Sequence, residues 1–203
     1  MDETEERILD AAARVFAETG FRGATTRRIA EAAGVNEVTL FRRFPTKDAL
    51  IVAALRHASD RTIAALAARA LPAQPRDVRG ELSAYATIVL EGVLASRQAH
   101  RTALGEWGHN PSLDRYLLLT TAHVYDEVHR YVVHARDAGL LRAEVDPLVG
   151  TQLLLGALLG DALMRDVMPD YFPRTPAATV PAYLDVLLAG LTPATADRTG
   201  DTA

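Results

Sequence analysis

Gly20-Phe21-Arg22-Gly23-Ala24-Thr25-Thr26-Arg27-Arg28-Ile29-Ala30-Glu31-Ala32-Ala33-Gly34-Val35-Asn36-Glu37-Val38-Thr39-Leu40-Phe41-Arg42-Arg43-Phe44-Pro45-Thr46-Lys47-Asp48-Ala49-Leu50 holds two short helices and the start of a third, longer one. Thr25 or Thr26 can cap a helix that runs to Ala33, and Gly34 ends it. Asn36 can cap the next, which reaches about Phe44. Pro45-Thr46 breaks the chain and caps a long helix that continues to roughly Ala70. Two short helices joined by a tight glycine-containing turn form the helix-turn-helix geometry. Ile29, Ala30, Ala33, Val35, Leu40 and Phe44 have the spacing to pack that unit inward. Thr25, Thr26, Arg27, Arg28, Asn36, Glu37, Thr39, Arg42 and Arg43 are then left facing out. Apart from Glu37 these are the donors and cations that a nucleic-acid groove requires.

On the N-terminal side, Ile8, Ala12, Val15 and Phe16 share one helical face after an Asp2-x-x-Glu5 start that suits a capping box; Gly20 should stop this helix. On the C-terminal side, Leu71 to Asp77 is a proline-containing connector. Beyond it the periodicity predicts helices near 78–97, 98–107, 112–138, 147–168 and 176–191. Asp146-Pro147 marks the start of the fourth of these, and residues 193–203 read as a disordered tail. Strand signals are nearly absent, so the chain reads as all-α.

The net charge of −4 speaks against a nucleic-acid binder until its distribution is considered. Residues 21–47 carry a local +4, so the rest of the chain carries −8. A basic patch on an acidic body aims DNA at one face. The chain has no cysteine, which removes disulfides, thiolate metal sites and cysteine nucleophiles and leads us to expect a reducing, cytoplasmic compartment. The acidic start lacks the pattern of a secretory leader, and the longest uncharged apolar run, 153–160, is too short to suggest a membrane partner. No nucleophile elbow, phosphate loop or dinucleotide fingerprint occurs, so neither an enzyme nor a cofactor is expected.

The stretch from Gly20 to Leu50, about a seventh of the chain, resembles the TetR-family signature almost from end to end. The resemblance implies an N-terminal three-helix DNA-binding domain over 1–47. A long helix would join it to an effector-binding and dimerisation bundle over 48–192, acting as a repressor released by a small lipophilic effector. It further implies that the Thr25 and Thr26 hydroxyls hold phosphate, that Asn36 and Thr39 lie near base edges, and that Lys47 is a phosphate contact. Three positions depart from the family's usual pattern: Phe41 replaces a common Tyr, Arg43 a His or Tyr, and Val38 a Gly. Arg43 is expected to compensate for Phe41, and Val38 to touch a thymine methyl or pack. Glu37 is expected to accept from a cytosine amino group or to hold Arg42 or Arg43 in place.

In the larger domain, Val149 to Leu163 is apolar on nearly every face, with Gly156, Ala157 and Gly160 among leucines, and so should be buried on nearly every face. The resemblance implies that this helix and the last one pair with their copies in a two-fold homodimer. Tyr85, Trp107, Tyr116, His123 and Tyr125 are the candidates to line an effector pocket, since each joins apolar area to a polar tip. A competing reading is a metal-binding bundle, as sensor or carboxylate-metal enzyme. It rests on Glu106-x-x-His109, Asp126-x-x-His129 and the His123/Glu127 pair.

Overall fold

The computed structural model describes residues 2–192, apart from the side chains of residues 61, 119 and 120. All regular structure in that span is helical. Helix α1 (Glu3–Gly23) is capped by Asp2, whose carboxylate accepts from the Glu5 amide at 2.9 Å. Gly20 does not stop the helix as expected but breaks it internally: its backbone takes φ 70°, ψ 178°, and one further turn follows. Helix α2 (Thr26–Ala33) starts at the Thr25 cap and ends at Gly34, which is left-handed with φ 67°. Helix α3 (Glu37–Arg43) follows after a three-residue turn, with Asn36 Oδ1 accepting from the Thr39 amide at 2.8 Å. Thr46 caps α4 (Lys47–Ala68) in the same manner.

After the connector come α5 (Val78–Ala95), α6 (Arg97–Gly105), α7 (Pro111–Asp137), α8 (Pro147–Met164) and α9 (Pro176–Leu191), with a short 3-10 turn at Pro169–Tyr171. Asp77, Asn110 and Asp146 cap α5, α7 and α8 through their side chains. Local cap chemistry therefore sets most boundaries within a residue or two of those expected.

The buried side chains form two cores. The first joins α1, α2 and α3 to the first half of α4, and also takes in Ala103 of α6 and Leu113, Tyr116 and Leu117 of α7. The second joins α5, α7, α8 and α9 around Tyr85, Leu90, Tyr131 and Leu158. Two buried carboxylates staple the second. Glu127 accepts from the Leu71 amide at 2.9 Å and from the Tyr85 hydroxyl at 3.0 Å. Asp161 accepts from Arg165 at 2.6 Å and from the Tyr183 hydroxyl at 3.0 Å, tying α8 to α9.

Helix α8 has the length and composition of a membrane span, yet it packs against α5, α7 and α9. It is not buried on nearly every face, as its composition suggested. Thr151, Leu154, Leu155, Leu158 and Ala162 face inward, whereas Leu148, Val149 and Leu153 are exposed and nothing lies within 4 Å of a side chain built at Gly156 or Gly160. Val186 on α9 is likewise 78% exposed.

Candidate nucleic-acid interface

The reading head is built from its turn outward. The Gly34 amide donates to Glu31 and the Val35 amide to Ala30, closing the end of α2 and turning the chain into α3. Ile29, Ala30, Ala33, Leu40 and Phe44 are buried, and Val35 packs against them half-exposed, as the spacing predicts. Thr25, Arg27, Arg28, Asn36, Val38, Phe41 and Arg42 are exposed, while Thr26, Glu37, Thr39, Arg43 and Lys47 are half-buried. Val38, at 78% exposure on a seven-residue helix, has no packing role within the chain.

Several expected roles change. Arg43 does not face outward. Its guanidinium reaches back to the start of α1, at 2.5 Å from Asp2 and 3.5 Å from Glu5, so its charge is already answered within the chain. The acidic N-terminus passes the last turn of α3, and the pairing follows from that. Glu37 holds neither Arg42 nor Arg43; its carboxylate accepts from the Thr26 hydroxyl at 2.8 Å and so bolts the start of α3 to the start of α2. The Thr26 hydroxyl, expected on phosphate, is thereby committed. Thr25 also serves the fold, accepting from the Arg28 amide as the α2 cap. Arg27 makes an exposed pair with Glu31 one turn on, a bond too weakly held to withdraw it from other partners.

Lys47 sits at the edge of this surface with its ammonium 4.3 Å from the centre of the Phe21 ring. Desolvation lowers its pKa, partly countered by Asp48 and Glu106. Phe21 owes its place to the break at Gly20, after which its own amide points at Glu106 on the α6 side and donates at 3.2 Å. The Thr102 hydroxyl donates to the Ala17 carbonyl at 3.1 Å, so the end of α6 grips α1 at two points.

A cavity of about 160 Å³ lies between α4, α5, α6, α7 and α8. Tyr116 and Tyr125 line it. Tyr85, Trp107 and His123 do not. Tyr85 is turned into the second core by its bond to Glu127, Trp107 is 47% exposed just beyond α6, and His123 is exposed with its imidazole 3.9 Å from Glu127. The lining includes Ser59, Ser96 and His100, which sequence reasoning missed. Their proximity depends on α4 meeting the α5–α6 joint, and no local pattern announces that. The His/acid pairs do not converge on a metal site: Glu106 is held by Phe21, His109 leans on the Trp107 carbonyl, and no group of three His, Asp or Glu side chains suited to a metal occurs among the described residues.

A sequence model described as bacterial regulatory proteins of the tetR family matches residues 8–54. The HTH-type transcriptional repressor KstR2 of Rhodococcus jostii is 31% identical over 142 residues, covering 68% of this chain and 68% of that protein. The HTH-type transcriptional regulator YvkB of Bacillus subtilis is 47% identical over 62 residues, which are 30% of this chain and 33% of YvkB. Among solved structures, that of SmeT in complex with triclosan has the same fold, with a TM-score of 0.73 at 20% identity over 95% of this chain and 93% of that one.

Proposed function

The chain belongs to the TetR family of DNA-binding transcriptional regulators, and from that premise we propose that it is a homodimeric repressor that leaves its operator when a small lipophilic molecule enters the cavity between α4 and α8. The observation that carries the DNA-binding part is the outer face of α3. Asn36, Val38, Phe41 and Arg42 stand exposed on a helix fixed to α2 by the Gly34 turn and the Thr26–Glu37 bond. Such a firmly held, exposed helix face suits a major groove.

The exposed apolar strip of α8 and α9 supports the dimer. Leu153 is 56% and Val186 78% exposed, and the bare Gly156 and Gly160 allow a second helix to approach closely. Two-fold pairing would set two copies of α3 in successive grooves about 34 Å apart, or further with a spacer, and calls for a near-palindromic operator. The cavity supports the effector, and SmeT offers a relative of this fold that holds a small molecule. Domain limits of 1–47 and 48–192 serve as the working division.

Selection of bound duplexes from a random DNA library at near-physiological salt tests the proposal. Enrichment of a near-palindrome is expected. A folded dimer that enriches no sequence counts against it.

A further inference from the structure

The cavity's hydrogen-bond inventory narrows the molecule that can occupy it, resting on the reading of this cavity as the effector site. The lining is mainly apolar, with a polar group formed by Ser59, Ser96, His100 and Tyr116. In that group the hydroxyl donors are already spent within the protein. The two hydroxyl protons of Ser59 and Tyr116 are shared among three contacts, 2.9 Å between the two hydroxyls and 3.0 and 3.1 Å to the Leu55 carbonyl. The Ser96 hydroxyl donates to the Gly92 carbonyl at 2.9 Å. His100 Nδ1 lies 3.0 Å from the Ser96 carbonyl, which can only accept, so Nδ1 carries the ring's proton. The Ser96 hydroxyl oxygen, 3.1 Å from the same nitrogen, adds a second acceptor.

In its neutral form the imidazole offers Nε2 as an acceptor, and no described residue hydrogen-bonds to Nε2. The described lining contains no Lys, Arg, Asp or Glu. Among the described residues a carboxylate or ammonium entering it would find no counter-charge to offset its lost hydration shell, at high cost. The other lining hydroxyls, on Thr62, Thr121 and Tyr125, are uncharged and cannot replace that shell. A cavity of about 160 Å³ is close in size to one of about 150 Å³ that accepts benzene.

We propose that the effector is an uncharged molecule about the size of one aromatic ring, carrying a single hydroxyl whose proton is accepted by His100 Nε2. An aryl or cyclic alcohol fits. A fatty acid or another anion does not. Discrimination comes from the polar contact, because a ligand lacking the hydroxyl forgoes the bond to Nε2.

Calorimetric titration of the full chain with p-cresol, toluene and p-toluate, three probes of nearly equal ring size, tests this. Binding of p-cresol about ten-fold or more tighter than toluene, with p-toluate silent, is expected. In His100→Phe, p-cresol and toluene should bind alike, and retained toluene binding certifies that the cavity is still formed. Tighter binding of p-toluate, a cresol preference that survives His100→Phe, or no binding by any probe overturns the inference. Release of operator DNA is read separately. If p-cresol binds with the expected preference yet leaves the DNA complex intact, the ligand chemistry stands and the effector role of the cavity falls.

Discussion

Arg42 and Arg43 are adjacent in sequence and opposite in employment. Arg42 is exposed at the end of α3, whereas Arg43 is folded back onto Asp2 and Glu5. Replacing Arg42 by Ala should lower the slope of log K against log salt by about 0.9, as happens when one phosphate is no longer neutralised. Arg43→Ala should leave that slope unchanged and act on the seating of α3 against α1, seen as a lower melting temperature and weaker binding of all sequences alike. A filter-binding salt series on both variants separates the two. The Asp2 carboxyl is held below the usual range by the Glu5 amide first and by Arg43 second. Its stabilising contribution is present above the ordinary carboxyl pKa and lost as pH falls through the depressed one. Asp2→Asn keeps the cap oxygen but not the charge, so its melting temperature should fall less steeply in acid than that of the parent. The caps Asn36, Thr46 and Asp146 are legible because a cap and its helix are neighbours in sequence. The partners of Arg43 and Glu37 are not, since each depends on how separate helices are laid against one another.

At the level of helices, the turn between α2 and α3 depends on a left-handed residue. Gly34 has φ 67° and no atom within 4 Å of a built Cβ, so Gly34→Ala meets backbone strain and no clash. A loss of about 1–2 kcal/mol is expected in chemical denaturation, with DNA affinity falling as the reading head loosens. The pair α8–α9 makes a different prediction. Leu153→Glu combined with Val186→Glu should give a folded monomer in sedimentation that no longer prefers a palindrome; a variant still dimeric would place the interface elsewhere. The helix pattern itself was readable from periodicity and punctuation. The two-sided character of α8 was not, because uniform apolar composition cannot say which face a chain covers itself and which it leaves open.

For the molecule as a whole, the two cores do not part where the helix-turn-helix ends. Leu50, Ile51, Ala54 and Leu55 of α4 are buried with α1–α3, and Leu113 and Tyr116 of α7 close the same core. A fragment ending at residue 47 should therefore show no cooperative melting by circular dichroism, despite carrying the whole reading head. The second core is anchored by Glu127, and Tyr85→Phe should cost about 1–3 kcal/mol, the penalty for leaving a buried carboxylate one donor short. The pocket residues were the least legible part of the site. Of five aromatic and histidine candidates the cavity takes two, because burial in a core and access to a cavity call for the same amphipathic side chains.

Tyr116 belongs both to the core of the reading head and to the wall of the cavity. That double membership divides the wall into two kinds of inheritance. Val89 and Val93, on the α5 side, line the cavity without belonging to that first core. Under the proposed effector role, a lineage could alter them to accept a new molecule at little risk to the helix-turn-helix core. A change at Tyr116 would touch the helix-turn-helix core as well, so under the proposed effector role descendants of this chain should diversify at Val89 and Val93 and stay conservative at Tyr116.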